Sequence, residues 1–188
     1  MVDSRSRLVE AAQQLFAQQG VGATSPREVL AASGVGQGSL YHHFPTKHDL
    51  AFAAVTATAA ETLGRAREQL RANGPAWDRV IAYLDRPRDA LAGCRVGRLT
   101  ADEAVMTDDE LRGGVASYFV ELLDEVAAAF REAGLPAEAA ADRAHAAVAV
   151  IQGGYVLSRA TQDAEAMRSA IRGFVALLQT DAPAPAGA

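Results

Sequence analysis

Apolar positions recur along this chain at steps of three and four, and β-branched runs with strict alternation are absent. Leu8, Ala12, Leu15 and Phe16 predict a first helix running to about Gln19, with Ser4 expected as its cap and Gly20 at its end. In "TSPREVLAASG", Ser25, Pro26 and Glu28 have the spacing of a capping box with proline at the first helical position. The short helix that follows turns Val29 and Leu30 inward and stops at Gly34. A third helix is expected from Gly36 or Gln37 to just before Pro45, with Leu40 and Phe44, four apart, facing the same small core. A longer helix followed by two short ones across a glycine turn is a helix-turn-helix within a three-helix unit.

The same periodicity continues to the C-terminus. A fourth helix is predicted from Thr46 or Lys47 to about Ala72, ended by Asn73–Pro75, and a fifth from about Ala76 to Asp85. The segment after Pro87 is irregular, with one short helix expected around Val96–Ala104. Val115, Phe119, Leu122, Val126 and Phe130 mark a helix from about Asp108 to Ala133, closed by Gly134 and Pro136. Two more follow, about Ala137–Thr161 and Ala164–Gln179, before a small-residue tail. The expectation is an all-α protein of about nine helices: a helix-turn-helix domain over residues 1–48, a larger helical domain over 49–180, and a disordered tail over 181–188.

Composition agrees with helix and excludes little else. Apolar residues make up 49% of the chain, with alanine the commonest of them, and aromatics 6%. The net charge of −5 falls entirely after residue 50, because Asp3, Glu10, Glu28 and Asp49 balance Arg5, Arg7, Arg27 and Lys47. An acidic total argues against a non-specific nucleic-acid coat but leaves room for a small docking face near the N-terminus. Cys94 is the only cysteine, so no intrachain disulfide can form. The N-terminal residues lack a signal-peptide pattern and no apolar run has membrane-spanning length, so a cytoplasmic protein with no membrane partner is expected.

Candidate chemistry concentrates in "GVGQGSLYHHFPTKHDL", Gly34–Leu50. Its alternating glycines follow a helix, not a strand, and no P-loop lysine follows Gly38, so it is not a phosphate cradle. His42 and His43 diverge by about 100° on a helix and have no carboxylate at ligand spacing, which argues against a metal site. Nowhere does the chain show a nucleophile–base pair or a cofactor fingerprint, so neither an enzyme nor a bound cofactor is expected. With Leu40 and Phe44 inward, Gln37, Gly38, Ser39, Tyr41, His42 and His43 are left outside. Such a face suits a helix lying in the DNA major groove: Gln37 to bond base edges, Gly38 to let the backbone approach, Ser39, Tyr41 and His42 to meet phosphates. Lys47, the chain's only lysine, opens the next helix, where its charge and the free N–H groups also suit a phosphate.

"AAQQLFAQQG" followed by "TSPREVLAASGVGQGSLYHHFPTKHDL" resembles the DNA-binding domain of the TetR family of bacterial transcriptional regulators, over about residues 5–52. The resemblance implies a dimer that binds a palindromic operator in double-stranded DNA with its third helices, and a larger helical domain that binds a small effector. It assigns DNA contacts to Gln37, Gly38, Ser39, Tyr41, His42, His43 and Lys47, and to Ser25 and Arg27 at the second helix. Gln37 stands where lysine is frequent in the family, Gly36 where serine is, and Val21 where an aromatic is; the first two bear on sequence preference.

The rest of the chain resembles the family in layout alone. The last two helices are apolar on more sides than one core needs, so they are the expected homodimer surface, with Ala140, Ala144, Ala147, Gly153 and Gly154 permitting close approach; the competing reading is that these residues are simply core, and both can hold in part. An effector pocket is expected from Trp77, Tyr83, Leu84, Met106, Tyr118, Phe119, Leu122, Phe130, His145, Gln152 and Tyr155, although most of them taken singly read as plain core rather than ligand contacts. That lining suits a lipophilic or aromatic ligand and a repressor released by it; an activator of the same fold is the alternative. "GCRVG", Gly93–Gly97, is similar to a glycine–cysteine element in one branch of the family, some members of which answer to antibiotics, flavonoids or electrophiles. Arg95 and Arg98 beside Cys94 would lower its thiol pKa and favour redox sensing; the competing reading is a buried, inert thiol.

Overall fold

A computed structural model of the chain describes residues 3–180. Among them lie nine α-helices and no strand: α1 (Ser4–Gln19), α2 (Pro26–Ser33), α3 (Gln37–His43), α4 (Lys47–Leu70), α5 (Ala76–Asp85), α6 (Glu103–Met106), α7 (Asp109–Glu132), α8 (Ala137–Thr161) and α9 (Glu165–Thr180). The tail expected to be disordered, residues 181–188, lies outside the described residues. The helices form two compact units. One joins the chain up to Leu63 with Arg95–Phe119; the other joins Gly64–Cys94 with the chain from Val120 onward.

In the first unit, the stripe on α1 buries Leu8, Ala12 and Phe16, α2 contributes Val29, and Leu40 and Phe44 close the core from α3 and its C-cap. Each large apolar side chain so buried contributes about 1.5–3 kcal/mol. The capping box of α2 forms as its spacing predicts, with Ser25 Oγ accepting from Glu28 N–H and Glu28 accepting from Ser25 N–H. Ser4 is not the cap of α1: Asp3 takes that place, its carboxylate accepting from Ser6 N–H at 2.7 Å. Ser4 stands inside the first turn, and its hydroxyl reaches His43 instead. Thr46 and Asp49 form a second reciprocal box at the start of α4. The short helix expected around Val96–Ala104 divides into a 3-10 turn, Gly97–Ala101, and α6, because Asp102 stands between them as the N-cap of α6.

In the second unit, Leu122, Val126 and Phe130 from α7, Val80 and Leu84 from α5, and Ala140, Ala144 and Ala147 from α8 are all buried. These three alanines are therefore buried within the chain itself, as the core reading of them expects. Trp77 sits edge-on to Phe130, ring centroids 6.2 Å apart. Arg67 and Arg71 both bind Glu125, and Arg67 also reaches Glu121, fastening the end of α4 to α7. α8 and α9 pack closely where Gly154 meets Met167. A Cβ on Gly154 would lie 3.3 Å from Met167 Cα and 3.1 Å from its Cγ, and Ser158 Oγ accepts from Met167 N–H beside it.

Candidate DNA-binding surface

α3 is a helix of seven residues anchored on its inner side by Leu40 and, at its C-cap, by Phe44. Gln37, Gly38, Tyr41 and His42 are exposed, Tyr41 at 48%, and Ser39 is half-buried. A Cβ built on Gly38 would meet nothing within 4 Å, so the protein itself has no steric need for glycine there. Ser25 is engaged as the cap of α2, while Arg27 is exposed on that helix's first turn.

The three neighbouring histidines have three different surroundings. His42 is exposed. His43 turns to α1, with Nε2 3.0 Å from Ser4 Oγ, and is half-buried. His48 lies 3.1 Å from Asp108 and 3.6 Å from Glu110. Lys47 is exposed but not solvated alone: its Nζ donates to Gly22 O at 3.1 Å, which ties the α4 start to the α1–α2 loop. Arg5 of α1 stacks over the Phe44 ring at 5.3 Å, adding a cation beside the end of α3.

What sets the position of this surface comes from far along the chain. Gly20 ends α1 with φ 90°, and Arg98 donates to the carbonyls of Ala17 and Gln18 just before it. A cation at a helix C-terminus satisfies orphan carbonyls and opposes the helix dipole. Asp102 Oδ2 accepts from both Val21 N–H and Gly22 N–H, while its Oδ1 caps α6 through Ala104 N–H. Asp108 caps α7 by accepting from Glu110 and Leu111 N–H and also faces His48; its pKa is held down chiefly by the Leu111 bond. Thus the 97–110 segment grips the three-helix unit at the end of α1 and the start of α4. Sequence reasoning missed Asp102, Asp108 and His48 in these roles, and placed Arg95 and Arg98 beside the thiol. Arg95 pairs with Glu61 at 3.4 Å, and Arg98 holds α1.

This geometry, a short polar helix presented by a capped helix-turn-helix, coincides with two matches. Residues 8–54 match the model of bacterial regulatory proteins of the tetR family, and residues 76–172 match that of the C-terminal domain of LmrA/YxaF-like transcriptional regulators. The chain belongs to the TetR family of transcriptional regulators.

Among this regulator's relatives, YxaF of Bacillus subtilis (strain 168), an HTH-type transcriptional regulator, is 27% identical over 168 residues, covering 86% of this chain and 87% of that protein. LmrA of the same organism, likewise an HTH-type transcriptional regulator, is 28% identical over 163 residues, covering 83% and 86%. A TetR regulator structure from Chloroflexus aurantiacus superposes with a TM-score of 0.80 at 24% identity, covering 94% of each chain, and shows the shared fold. These matches are to regulators, and the TetR chain is not an enzyme.

The effector candidates of this TetR-family chain are distributed over both units. Met106, Tyr118 and Phe119 belong to the first; Trp77, Tyr83, Leu122, His145, Gln152 and Tyr155 belong to the second. Tyr83, Tyr118 and Leu122 are buried, and Trp77, Phe119, Gln152 and Tyr155 half-buried. Met106 and His145 are exposed, and His145 Nδ1 lies 2.9 Å from the Ala141 carbonyl of its own helix. Burial pushes the Tyr83 and Tyr155 hydroxyls above their ordinary pKa, so both are neutral polar groups at physiological pH. Cys94 is buried.

Proposed function

We propose that the protein is a ligand-responsive repressor that binds a palindromic operator as a homodimer and is released by a small lipophilic or aromatic effector in the cytoplasm. The observation that carries this reading is the outward face of α3, where Gln37, Gly38, Tyr41 and His42 are exposed beside Arg27 and Lys47 on one capped unit. In this reading residues 1–48 read DNA, residues 49–180 dimerise and bind effector, and two copies of α3 sit about 34 Å apart in successive major grooves. Ser25, Ser39 and His43 complete the contact set, with His43 also held by Ser4.

Dimerisation through α8 and α9 is supported by Val156, Leu157 and Leu177, large apolar side chains that remain 51–67% exposed. Gly153 and Gly173 on the same helices have nothing within 4 Å of a built Cβ, which leaves room for close helix approach. Replacing Val156 and Leu177 by glutamate is expected to give monomers in sedimentation while α3 stays folded. An effector coupling of about 1–3 kcal/mol would change operator affinity roughly 5–150-fold, and operator would weaken effector binding by the same factor. An activator differs only in the sign of that coupling. Thiol sensing through Cys94 is the less favoured reading, because the sulfur is buried.

The test is a gel-shift assay of the dimer on DNA from upstream of its own gene, at fixed salt with unrelated competitor DNA. A specific shift at two dimer-spaced half-sites that Tyr41→Ala/Lys47→Ala abolishes, with the fold retained, supports the reading. Failure to select any DNA from the whole genome would end it.

A further inference from the structure

The loop after α5 and the first half of α9 enclose a cleft of about 530 Å3. Small-ligand sites typically occupy about 300–1,000 Å3. Its walls are of two kinds. Ala90, Ala164, Met167 and Ile171 are apolar, whereas Arg86, Arg88, Arg168 and Arg172 stand among the lining residues with one acidic residue, Asp85. The chain as a whole carries −5, so this local excess of cations runs against its composition.

Each arginine is held differently. Arg88 closes the C-terminal end of α5: Nη1 donates to the carbonyls of Leu84 and Arg86, and Nη2 to that of Tyr83. Its Nε–H is buried with no acceptor, and burial lowers its pKa, as expected of a cation short of counter-charge. Arg86 stacks over the Tyr83 ring at 5.2 Å and pairs with no carboxylate among the described residues. Arg168 and Arg172 share one partner, Glu165, at 2.5 and 2.7 Å. Two separate facts therefore coincide in the cleft: an apolar wall, and a guanidinium stacked in place with no carboxylate partner.

We infer that this cleft binds a small organic anion, one carboxylate, sulfonate or phosphate group held by Arg86, Arg168 and Arg172 with an apolar body against Met167 and Ile171. The planar guanidinium fork matches such oxyanions in pairs of parallel hydrogen bonds. Arg88 fixes the loop that presents Arg86, and Glu165 yields part of its hold on the other two when the anion enters. This rests on the repressor reading only for its consequence, which is that the effector is an amphipathic anion and not merely a lipophile.

The full-length protein is titrated with anilinonaphthalene sulfonate and with phenyl-naphthylamine, the same ring system lacking the sulfonate, and probe fluorescence is followed. The sulfonate is expected to saturate at one per chain and to bind roughly tenfold or more tighter than the neutral probe, the scale of lost charge-assisted hydrogen bonds. Arg86→Gln/Arg168→Gln should weaken the sulfonate by a similar factor and leave the neutral probe within about twofold, with unchanged circular dichroism. If that double variant unfolds, Arg172→Gln alone serves, and Arg65→Gln, which does not line the cleft, should bind as wild type. Equal affinity for the two probes, or undiminished sulfonate binding in the variants, would overturn the inference. Sulfonate binding that depends on the arginines but leaves the operator shift unchanged would sustain the site and refute its role as effector.

Discussion

Replacing Asp102 by alanine tests whether the segment after the 3-10 turn holds the DNA-binding unit in place. One carboxylate oxygen accepts from Val21 and Gly22 N–H, and the other caps α6 through Ala104 N–H. A hydrogen bond to a charged group contributes about 1.5–3 kcal/mol, and loss of an N-cap costs about 0.5–2. Asp102 is half-buried, and loosened ends regain water, so the effects do not add fully; about 2–3 kcal/mol is expected. At roughly 2–4 °C per kcal/mol for a chain of this size, the melting temperature should fall by about 4–12 °C. Asparagine should recover only part of this, because its amide offers one acceptor oxygen where two sets of donors converge. Hydrogen exchange at the Val21 and Gly22 amides separates this account from a general loss of stability. Those two amides should exchange faster than the core of α8. A melting temperature within about 1 °C of wild type, or unchanged protection at residues 21 and 22, would refute the reasoning.

Other consequences are testable at single sites. Gly38→Ala should keep or raise stability by about 0.5–1 kcal/mol, since a Cβ there meets nothing within 4 Å, yet weaken operator binding in a shift assay; undiminished affinity would mean that the α3 backbone does not approach DNA. The Glu28 pKa is lowered from 4.5 to about 2, chiefly by the Ser25 N–H bond, so its contribution is present above pH 4.5 and lost as pH falls toward 2. Asp3 and Asp49 are lowered as well, Asp3 chiefly by Ser6 N–H and Asp49 chiefly by the Thr46 hydroxyl. Acid titration followed by circular dichroism should therefore be less steep in Glu28→Gln than in wild type, and an identical profile would contradict the assignment. Gly154→Val should cost about 1–3 kcal/mol in denaturant unfolding, because Met167 Cα lies 3.3 Å from the first added carbon.

The local signals were legible because their causes are local. Ser25, Pro26 and Glu28 fix the start of α2 within four residues, and Leu40 with Phe44 decides which side of α3 faces inward. The same logic misplaced the cap of α1, because Asp3 and Ser4 are adjacent and both are good capping residues; the backbone at Asp3, with ψ 165°, is what lets its carboxylate reach Ser6 N–H. It also left Val96–Ala104 as one helix, since nothing nearby in sequence says that Asp102 will turn one oxygen to α6 and the other to the α1–α2 loop. On α8, alanine spacing marked a close-packed helix but not its partner: Ala140, Ala144 and Ala147 went to the chain's own core.

By itself, then, the sequence determined the helices, the polar face of α3 and the family, because periodicity, caps and glycine stops act over a turn or two of chain. Only the tertiary structure decided which groups hold that face in position and where cations gather away from it. Arg98 and Asp102 meet α1 and its following loop across some eighty residues, and Arg86 and Arg168 line one cleft from two helices' neighbourhoods. Contacts of that separation leave no periodic trace, since their cost is loop closure and their stabilisation comes from burial and charge that exist only once the chain has folded.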